Sequence, residues 1–130
     1  MDPFYFKKLD VYDYSSELVE YIYRLLKDFP SEEKYALCSQ LRRAVISIPS
    51  NIAEGFGRVS SKEKIHFIEI AYGSLMEVFC QLELSQRLGY VSEDDLRAGR
   101  EKIEIIARLL SSLRFSIIKN GESHISHKSY

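Results

Sequence analysis

Apolar residues recur every three or four positions along four long stretches of the chain, which is the spacing of an amphipathic α-helix. In the first stretch, Leu18, Ile22, Leu25 and Phe29 follow this spacing. The four stretches run from about Tyr14 to Asp28, from Ser31 to Phe56, from Ser60 to just before Gly89, and from Ser92 to Asn120. No segment alternates apolar and polar residues long enough to predict a strand. Because short loops join long helices, we predict an all-α fold, an antiparallel up-down-up-down four-helix bundle.

Prolines, glycines and capping residues mark the ends of these helices. Pro30 separates the first two helices, and Pro49 should bend the second. Ser60 and Glu63 have capping-box spacing, and Gly89 suits a left-handed helix cap. We therefore divide the chain into an N-terminal tail at residues 1–9, a bundle at residues 10–119 and a flexible C-terminal tail at residues 120–130.

The charge balance excludes a general attraction to nucleic acid or membranes. The chain has 130 residues, with 18 basic against 19 acidic side chains and a net charge of −1. Any nucleic-acid binding must therefore use a local basic patch. No signal peptide and no apolar run of about 20 residues is found, so we expect a cytoplasmic protein with no membrane contact. Cys38 and Cys80 lack metal-ligand spacing and are expected to be small buried hydrophobic residues.

The motifs of common enzymes and cofactor sites are missing from the sequence. No phosphate-binding glycine loop occurs, and Gly55-Phe56-Gly57 is typical of a helix stop. His66 lacks the Glu-x-x-His spacing of a di-iron bundle site. We therefore predict a non-enzymatic protein that needs no cofactor or metal.

The second helix has two different faces. Its core row is expected to contain Leu41, Val45, Ile48 and Ile52. A polar row on nearly the opposite side contains Arg43, Ser47, Ser50 and Glu54. The third helix has an acidic and small row, which contains Glu69, Gly73, Glu77 and Cys80. Buried charges need partners, so we expect these last two rows to meet, either inside one chain or between subunits, unless Glu54 pairs with Arg58.

Basic residues near the second helix form a candidate nucleic-acid contact. These residues are Arg42, Arg58, Lys62 and Lys64, with Arg43 beside them and the aromatic residues Tyr35 and Phe56 nearby in sequence. Such a combination can hold phosphates and stack bases. The alternative is that Arg43 is a structural ion-pair partner and that the lysines are only solvated. On the fourth helix, Arg97, Glu101, Glu104 and Arg108 predict an exposed face of salt bridges, with a basic groove of Arg97, Arg100 and Arg108 as the alternative.

Several motifs resemble one protein family. They are Gln40-Leu41-Arg42-Arg43-Ala44, Ser47 to Gly55, Gly57-Arg58, Lys62-Glu63, Gly73-Ser74-Leu75 and Leu88-Gly89-Tyr90. The chain resembles, from about Val11 to Leu113, the four-helix bundle proteins encoded in intervening sequences of bacterial 23S rRNA genes. It is also similar to the accessory variability protein of diversity-generating retroelements, which belongs to the same fold group.

This resemblance implies a homopentameric assembly of bundles. One hypothesis is a pentameric scaffold that binds RNA, or a nucleic-acid-processing protein, through its local basic surface. The alternative is a protein-interaction adaptor, like the retroelement accessory protein, that binds no nucleic acid. The near-neutral charge of the chain is a poor fit to a strongly RNA-binding protein.

Overall fold

The computed structural model describes the backbone of residues 2–128 and the side chains of residues 2–121. Its four helices are α1 (Asp10–Leu26), α2 (Leu37–Gly55), α3 (Ser61–Arg87) and α4 (Glu93–Lys128), with short 3-10 helices at Tyr5–Lys8 and Ser31–Glu33. Each helix packs against its two neighbours around the bundle, in the order α1, α2, α3, α4 and back to α1. The predicted all-α four-helix bundle is confirmed.

The core lies where the apolar periodicity of the helices predicts it. Leu41, Val45, Ile48 and Ile52 are all at most 1 % exposed. They face equally buried residues of the other helices, among them Leu18, Leu75 and Leu110. Burying these side chains supplies the main stabilisation of a bundle without disulfides, at about 1.5–3 kcal/mol for each large side chain.

The predicted capping residues act as caps. The Ser60 hydroxyl accepts a hydrogen bond from the Glu63 backbone N–H at 3.1 Å and so starts α3. Gly89 has a φ of 83°, the left-handed conformation that glycine adopts at low cost after a helix. Ser92 and Asp95 bond each other's backbone N–H groups at 3.0 and 3.3 Å, which starts α4.

The starts of α1 and α2 differ from the predicted ones, whereas the position of Pro49 within α2 agrees with the prediction. α1 begins at Asp10 rather than near Tyr14, because Val11 is buried and Asp10 and Asp13 favour the first turn. The segment Ser31–Glu33 forms a 3-10 helix of its own, and α2 starts only at Leu37. Pro49 lies inside α2, which continues through it to Gly55.

At its C-terminal end, α4 continues past Asn120 and Gly121, where the sequence predicts a stop, to Lys128. Gly121 lies beside the start of α3: a Cβ built there would be 3.4 Å from the Ser61 Oγ. This is an ordinary contact distance, so Gly121 lies within α4 beside α3 and does not act as a helix stop. The flexibility predicted for residues 120–130 concerns side chains that lie mostly outside the described part, and it stays a prediction.

The ends of the bundle are held by aromatic residues. In the N-terminal segment, the Phe6 ring packs edge-on against Tyr12 at 4.9 Å. The Tyr21 hydroxyl donates to the Asp95 carbonyl at 2.7 Å, and burial raises the pKa of Tyr21. At the opposite side of the same end, the Tyr90 hydroxyl donates to Glu33 at 3.0 Å. The first bond ties α1 to the first turn of α4, and the second ties the α1–α2 connection to the loop before α4.

Cys80 corrects one sequence-based expectation. Cys38 is buried, and burial raises the pKa of its thiol, but Cys80 is exposed on the outer side of α3. None of the helices described between residues 2 and 128 has the length and apolarity needed to cross a membrane.

Candidate nucleic-acid interface

Three of the predicted basic residues meet at the corner where α2 ends and α3 begins. We call Arg58, Lys62 and Lys64 the basic corner. The connection is only five residues long, from Phe56 to Ser60, and the Lys64 ammonium donates a hydrogen bond back to the Arg58 carbonyl. This bond and the Ser60 cap fix the turn, so the three cations lie at the N-terminal end of α3, where the helix dipole adds positive potential.

Two aromatic rings hold two of these cations in place. The Arg58 guanidinium lies 4.9 Å from the centre of the Phe67 ring, and the Lys64 Nζ lies 5.5 Å from the centre of the Phe56 ring. Such cation–π contacts orient a cation while leaving its N–H donors free. The sequence suggested Phe56 but missed the role of Phe67, because its contact with Arg58 depends on the turn between α2 and α3. Both rings are occupied by the protein's own cations.

Nearby carboxylates reduce the positive charge of the corner. Glu54 accepts an ion pair from Arg58 at 3.1 Å, which is the i,i+4 pairing expected from the sequence. Lys62, Glu63 and His66 line a shallow depression together with Arg58 and Phe67. The basic corner is therefore exposed and preorganised, but only modestly positive.

Gly55 allows α2 and α3 to come together at this corner. A Cβ built on Gly55 would lie 2.9 Å from the Cβ of Phe67, closer than packed side chains tolerate. The atom it meets is next to the backbone, so relieving the contact requires one helix to move. Gly55 therefore sets the position of Phe67 and, through it, of the Arg58 guanidinium.

We expect Gly55→Ala to lower the free energy of unfolding by about 1–3 kcal/mol, because the added methyl group overpacks the contact. Urea unfolding measures the change. Ser112→Ala, at an exposed position of α4, is the control and should stay within about 0.5 kcal/mol of the wild type. A Gly55→Ala variant as stable as the wild type would show that the two helices do not depend on this close approach.

Arg42, the fourth predicted contact residue, lies elsewhere. It is 16 residues before Arg58, which places it about 24 Å away along a helix axis. Its guanidinium donates to the Lys34 carbonyl at 3.0 Å and so stabilises the connection before α2. Tyr35, its predicted aromatic neighbour, is 85 % exposed. Arg42 is therefore not part of the basic corner.

The two polar rows of α2 and α3 do not pair within one chain. Arg43, Ser50, Glu69, Gly73 and Glu77 are all exposed. Glu69 pairs instead with Arg114 of α4 at 3.6 Å, and no ion pair joins the two rows among the side chains of residues 2–121. Pairing of the rows within one chain is wrong, because their charged residues are exposed and Glu77 accepts a hydrogen bond from Gln81 of its own helix instead of pairing with Arg43. Pairing between subunits stays a prediction.

Ser47 is the exception in these rows. Its hydroxyl lies 2.8 Å from the Ser74 hydroxyl of α3, and the Asn51 amide donates to the Ser47 hydroxyl at 2.8 Å. Deeper along the same contact, the Gln81 amide donates to Gln40 at 3.3 Å and to Glu77 at 3.4 Å. The sequence missed Ser74 and Gln81 because their partners belong to another helix. These bonds align α2 with α3 and are structural.

The outer face of α4 carries salt bridges, but their partners differ from the predicted row of Arg97, Glu101, Glu104 and Arg108. Arg97 pairs with Asp94 at 3.0 Å, and Arg100 pairs with Glu104 at 2.9 Å. Because two of the three arginines are neutralised, the alternative of a basic groove on α4 is weaker than the basic corner. Among the side chains that the structure describes, no group of three His, Cys, Asp or Glu residues could hold a metal ion.

Comparison with known proteins identifies the family. A solved structure from Bacteroides thetaiotaomicron, a protein with unknown function from the S23 ribosomal protein family, has 26 % identity and a TM-score of 0.72, covering 80 % of this chain and 97 % of that one. None of the curated proteins matches the chain. Neither comparison bears on the similarity to the retroelement accessory protein. Residues 7–112 match the family described as 23S rRNA-intervening sequence protein, and the chain therefore belongs to this family.

Proposed function

We propose that this protein is a non-enzymatic, self-assembling helical bundle, a homopentamer by its resemblance, which holds RNA phosphates at its basic corner. The observation that best supports this proposal is the geometry of the basic corner. A guanidinium and an ammonium are held over Phe67 and Phe56, beside the exposed Lys62 and the N-terminal end of α3. The name of the family, which refers to 23S rRNA, makes RNA the first ligand to test.

The arrangement favours phosphate over base recognition. The faces of Phe56 and Phe67 are covered by Lys64 and Arg58, so a base would have to displace a cation before stacking there. The N–H groups of Arg58 and Lys64 that are not bonded to Glu54 or to the Arg58 carbonyl remain available to phosphate oxygens. Binding should therefore depend on RNA shape and charge and little on base sequence.

A single basic corner is too weakly charged to hold RNA tightly by itself. Glu54 and Glu63 offset two of its three positive charges. In an assembly of several copies, the corners act together, and linked weak contacts gain about 10²–10⁴ in affinity when the geometry lets them engage at once. Self-assembly and RNA binding thus belong to one proposal.

The test is the binding of a labelled, structured ribosomal RNA fragment, measured by fluorescence anisotropy. The variant Arg58→Ala/Lys62→Ala/Lys64→Ala should bind roughly 100-fold more weakly at about 0.15 M salt, because three phosphate contacts per corner are lost. The control Arg97→Ala/Arg100→Ala/Arg108→Ala removes the same charge from the outer face of α4 and should keep its affinity within about threefold.

Two results would overturn the RNA part of the proposal. One is the absence of RNA binding by the wild type at about 0.05 M salt, where phosphate contacts are strong. The other is an equal loss in both triple variants, which would mean that overall charge and not the basic corner attracts the RNA. A partner retained in pull-downs at high salt, without RNA, would then favour the adaptor hypothesis.

A further inference from the structure

A second apolar seam runs along the outer side of α3. Its residues are spaced by three and four positions, as in a coiled coil, and are Ile70, Gly73, Glu77, Cys80 and Leu84. All five are exposed, although the core face of α3 lies on the opposite side of the same helix. Ile70 is 38 % and Leu84 47 % exposed, with Met76 at 40 % beside them. We call this the α3 seam; it extends over about 21 Å.

A complementary groove lies between α1 and α2. It has a volume of about 400 Å³ and is lined mainly by apolar and small side chains, among them Val19, Ile46, Pro49 and Ala53, and also by Glu20 of α1. On the α2 side, Ile46, Ser50 and Ala53 line the groove with the same spacing of four and three positions, and Arg43 continues this row one turn beyond it. Ile46 is 43 % exposed although it is an apolar residue in the middle of a helix.

We propose that the α3 seam of one copy packs into the α1–α2 groove of the next copy, so that the subunits associate head to tail. This inference rests on the self-assembly in the proposed function and names the surfaces that carry it. A second copy of this chain covers each surface, because the α3 seam presents exposed apolar side chains and the α1–α2 groove can receive them.

Charge complementarity supports this pairing. Arg43 lies on α2 one helical turn before Ile46, at the end of the groove, and Glu77 lies in the α3 seam, so these two charges are opposite. Neither forms an ion pair among the side chains of residues 2–121; Glu77 only accepts a long hydrogen bond from Gln81 at 3.4 Å. A single polar residue in an apolar seam is a common means of fixing the partner and the register.

Pairing of like surfaces is disfavoured by the same observations. Two α3 seams facing each other would bring Glu77 and its copy together, and two grooves would leave a void between them. Different surfaces on one chain give a heterologous contact, which forms a closed ring when the rotation between subunits permits it. A ring is the architecture that presents every basic corner in an equivalent position.

The test mixes two variants that each lose one surface. Ile46→Glu blocks the groove and Leu84→Glu blocks the α3 seam; both positions are exposed, so each chain should still fold. Each variant alone should have the mass of a monomer in native mass spectrometry. When they are mixed, a 1:1 complex should form, because the intact α3 seam of Ile46→Glu fits the intact groove of Leu84→Glu.

A charge reversal tests the register of this contact. Arg43→Glu should weaken assembly at least tenfold, and the double variant Arg43→Glu/Glu77→Arg should restore most of the loss. Arg97→Glu, on the outer face of α4, is the matched control and should keep the wild-type mass. Failure of the double variant to regain any assembly would overturn the pairing of Arg43 with Glu77.

The outcomes separate this inference from the proposed function. If the wild type stays monomeric at chain concentrations up to about 100 μM, self-assembly and the inference are both wrong. If the wild type assembles and one variant still dimerises alone, or the mixture gives no new species, the head-to-tail contact is wrong but self-assembly stands. RNA binding at the basic corner is measured separately and decides neither result.

Discussion

Ile48→Ala is expected to lower the free energy of unfolding by about 2–5 kcal/mol, whereas Ile46→Ala should change it by no more than about 0.5 kcal/mol. The two isoleucines are two residues apart in α2 and have identical side chains. Ile48 is 0 % exposed in the core, and Ile46 is 43 % exposed in the α1–α2 groove. Shortening Ile48 leaves a cavity in the core. Shortening Ile46 leaves none, because water already reaches that side chain.

Urea unfolding at a chain concentration where the wild type is monomeric measures both changes. At higher concentration, where copies associate, Ile46→Ala should also weaken assembly because it shortens the wall of the groove. Equal losses of stability for both variants in the monomer would contradict the assignment of the two faces. Because both positions are inside the same helix, the change in helix propensity is the same for both substitutions and cancels in the comparison.

The local pattern of the sequence was enough to predict which faces of the helices are buried. The spacing of Leu41, Val45, Ile48 and Ile52 depends only on the periodicity of one helix, and all four lie in the core. Capping at Ser60 and Ser92 is also local, because each side chain bonds a backbone group three residues ahead. Features that depend on contacts within one helical turn can therefore be predicted from the sequence alone.

Contacts between two helices could not be predicted from the sequence in this way. Arg42 and Arg58 are both basic and flank the same motif, yet the length of α2 separates them and only Arg58 belongs to the basic corner. Glu69 has its partner Arg114 on α4, a pairing that depends on the register between α3 and α4. That register is set by the loop at Gly89 and by tight core packing, which the periodicity of a single helix does not contain.

Cys80 and its neighbours on α3 illustrate a second limit. An apolar residue in a helical pattern is usually assigned to the core, and Cys80 was expected there, but α3 carries apolar residues on two opposite sides. Periodicity identifies apolar seams without saying which one faces the interior of the same chain. In this protein the outward-facing seam, which contains Glu77, is the surface that we propose for assembly.

The salt dependence of RNA binding should identify the basic corner quantitatively. Each phosphate contact contributes about −0.7 to −0.9 to the slope of log K against log salt concentration, so three contacts contribute roughly −2 to −3 for every corner engaged. The triple alanine variant at Arg58, Lys62 and Lys64 should therefore show a slope that is flatter by that amount. The α4 triple variant should keep the wild-type slope, even if its affinity shifts slightly.

Glu54→Gln should increase RNA affinity, by roughly two- to fivefold, because the carboxylate that now pairs with Arg58 at 3.1 Å no longer competes with phosphate. A gain of affinity is more informative than a loss, since a damaged fold cannot produce it. The matched variant Glu104→Gln removes the equivalent partner of Arg100 on α4 and should leave RNA binding unchanged. If Glu54→Gln binds no better than the wild type while the triple alanine variant binds worse, Arg58 keeps its position over Phe67 for structural reasons, and Lys62 and Lys64 carry the contact to RNA.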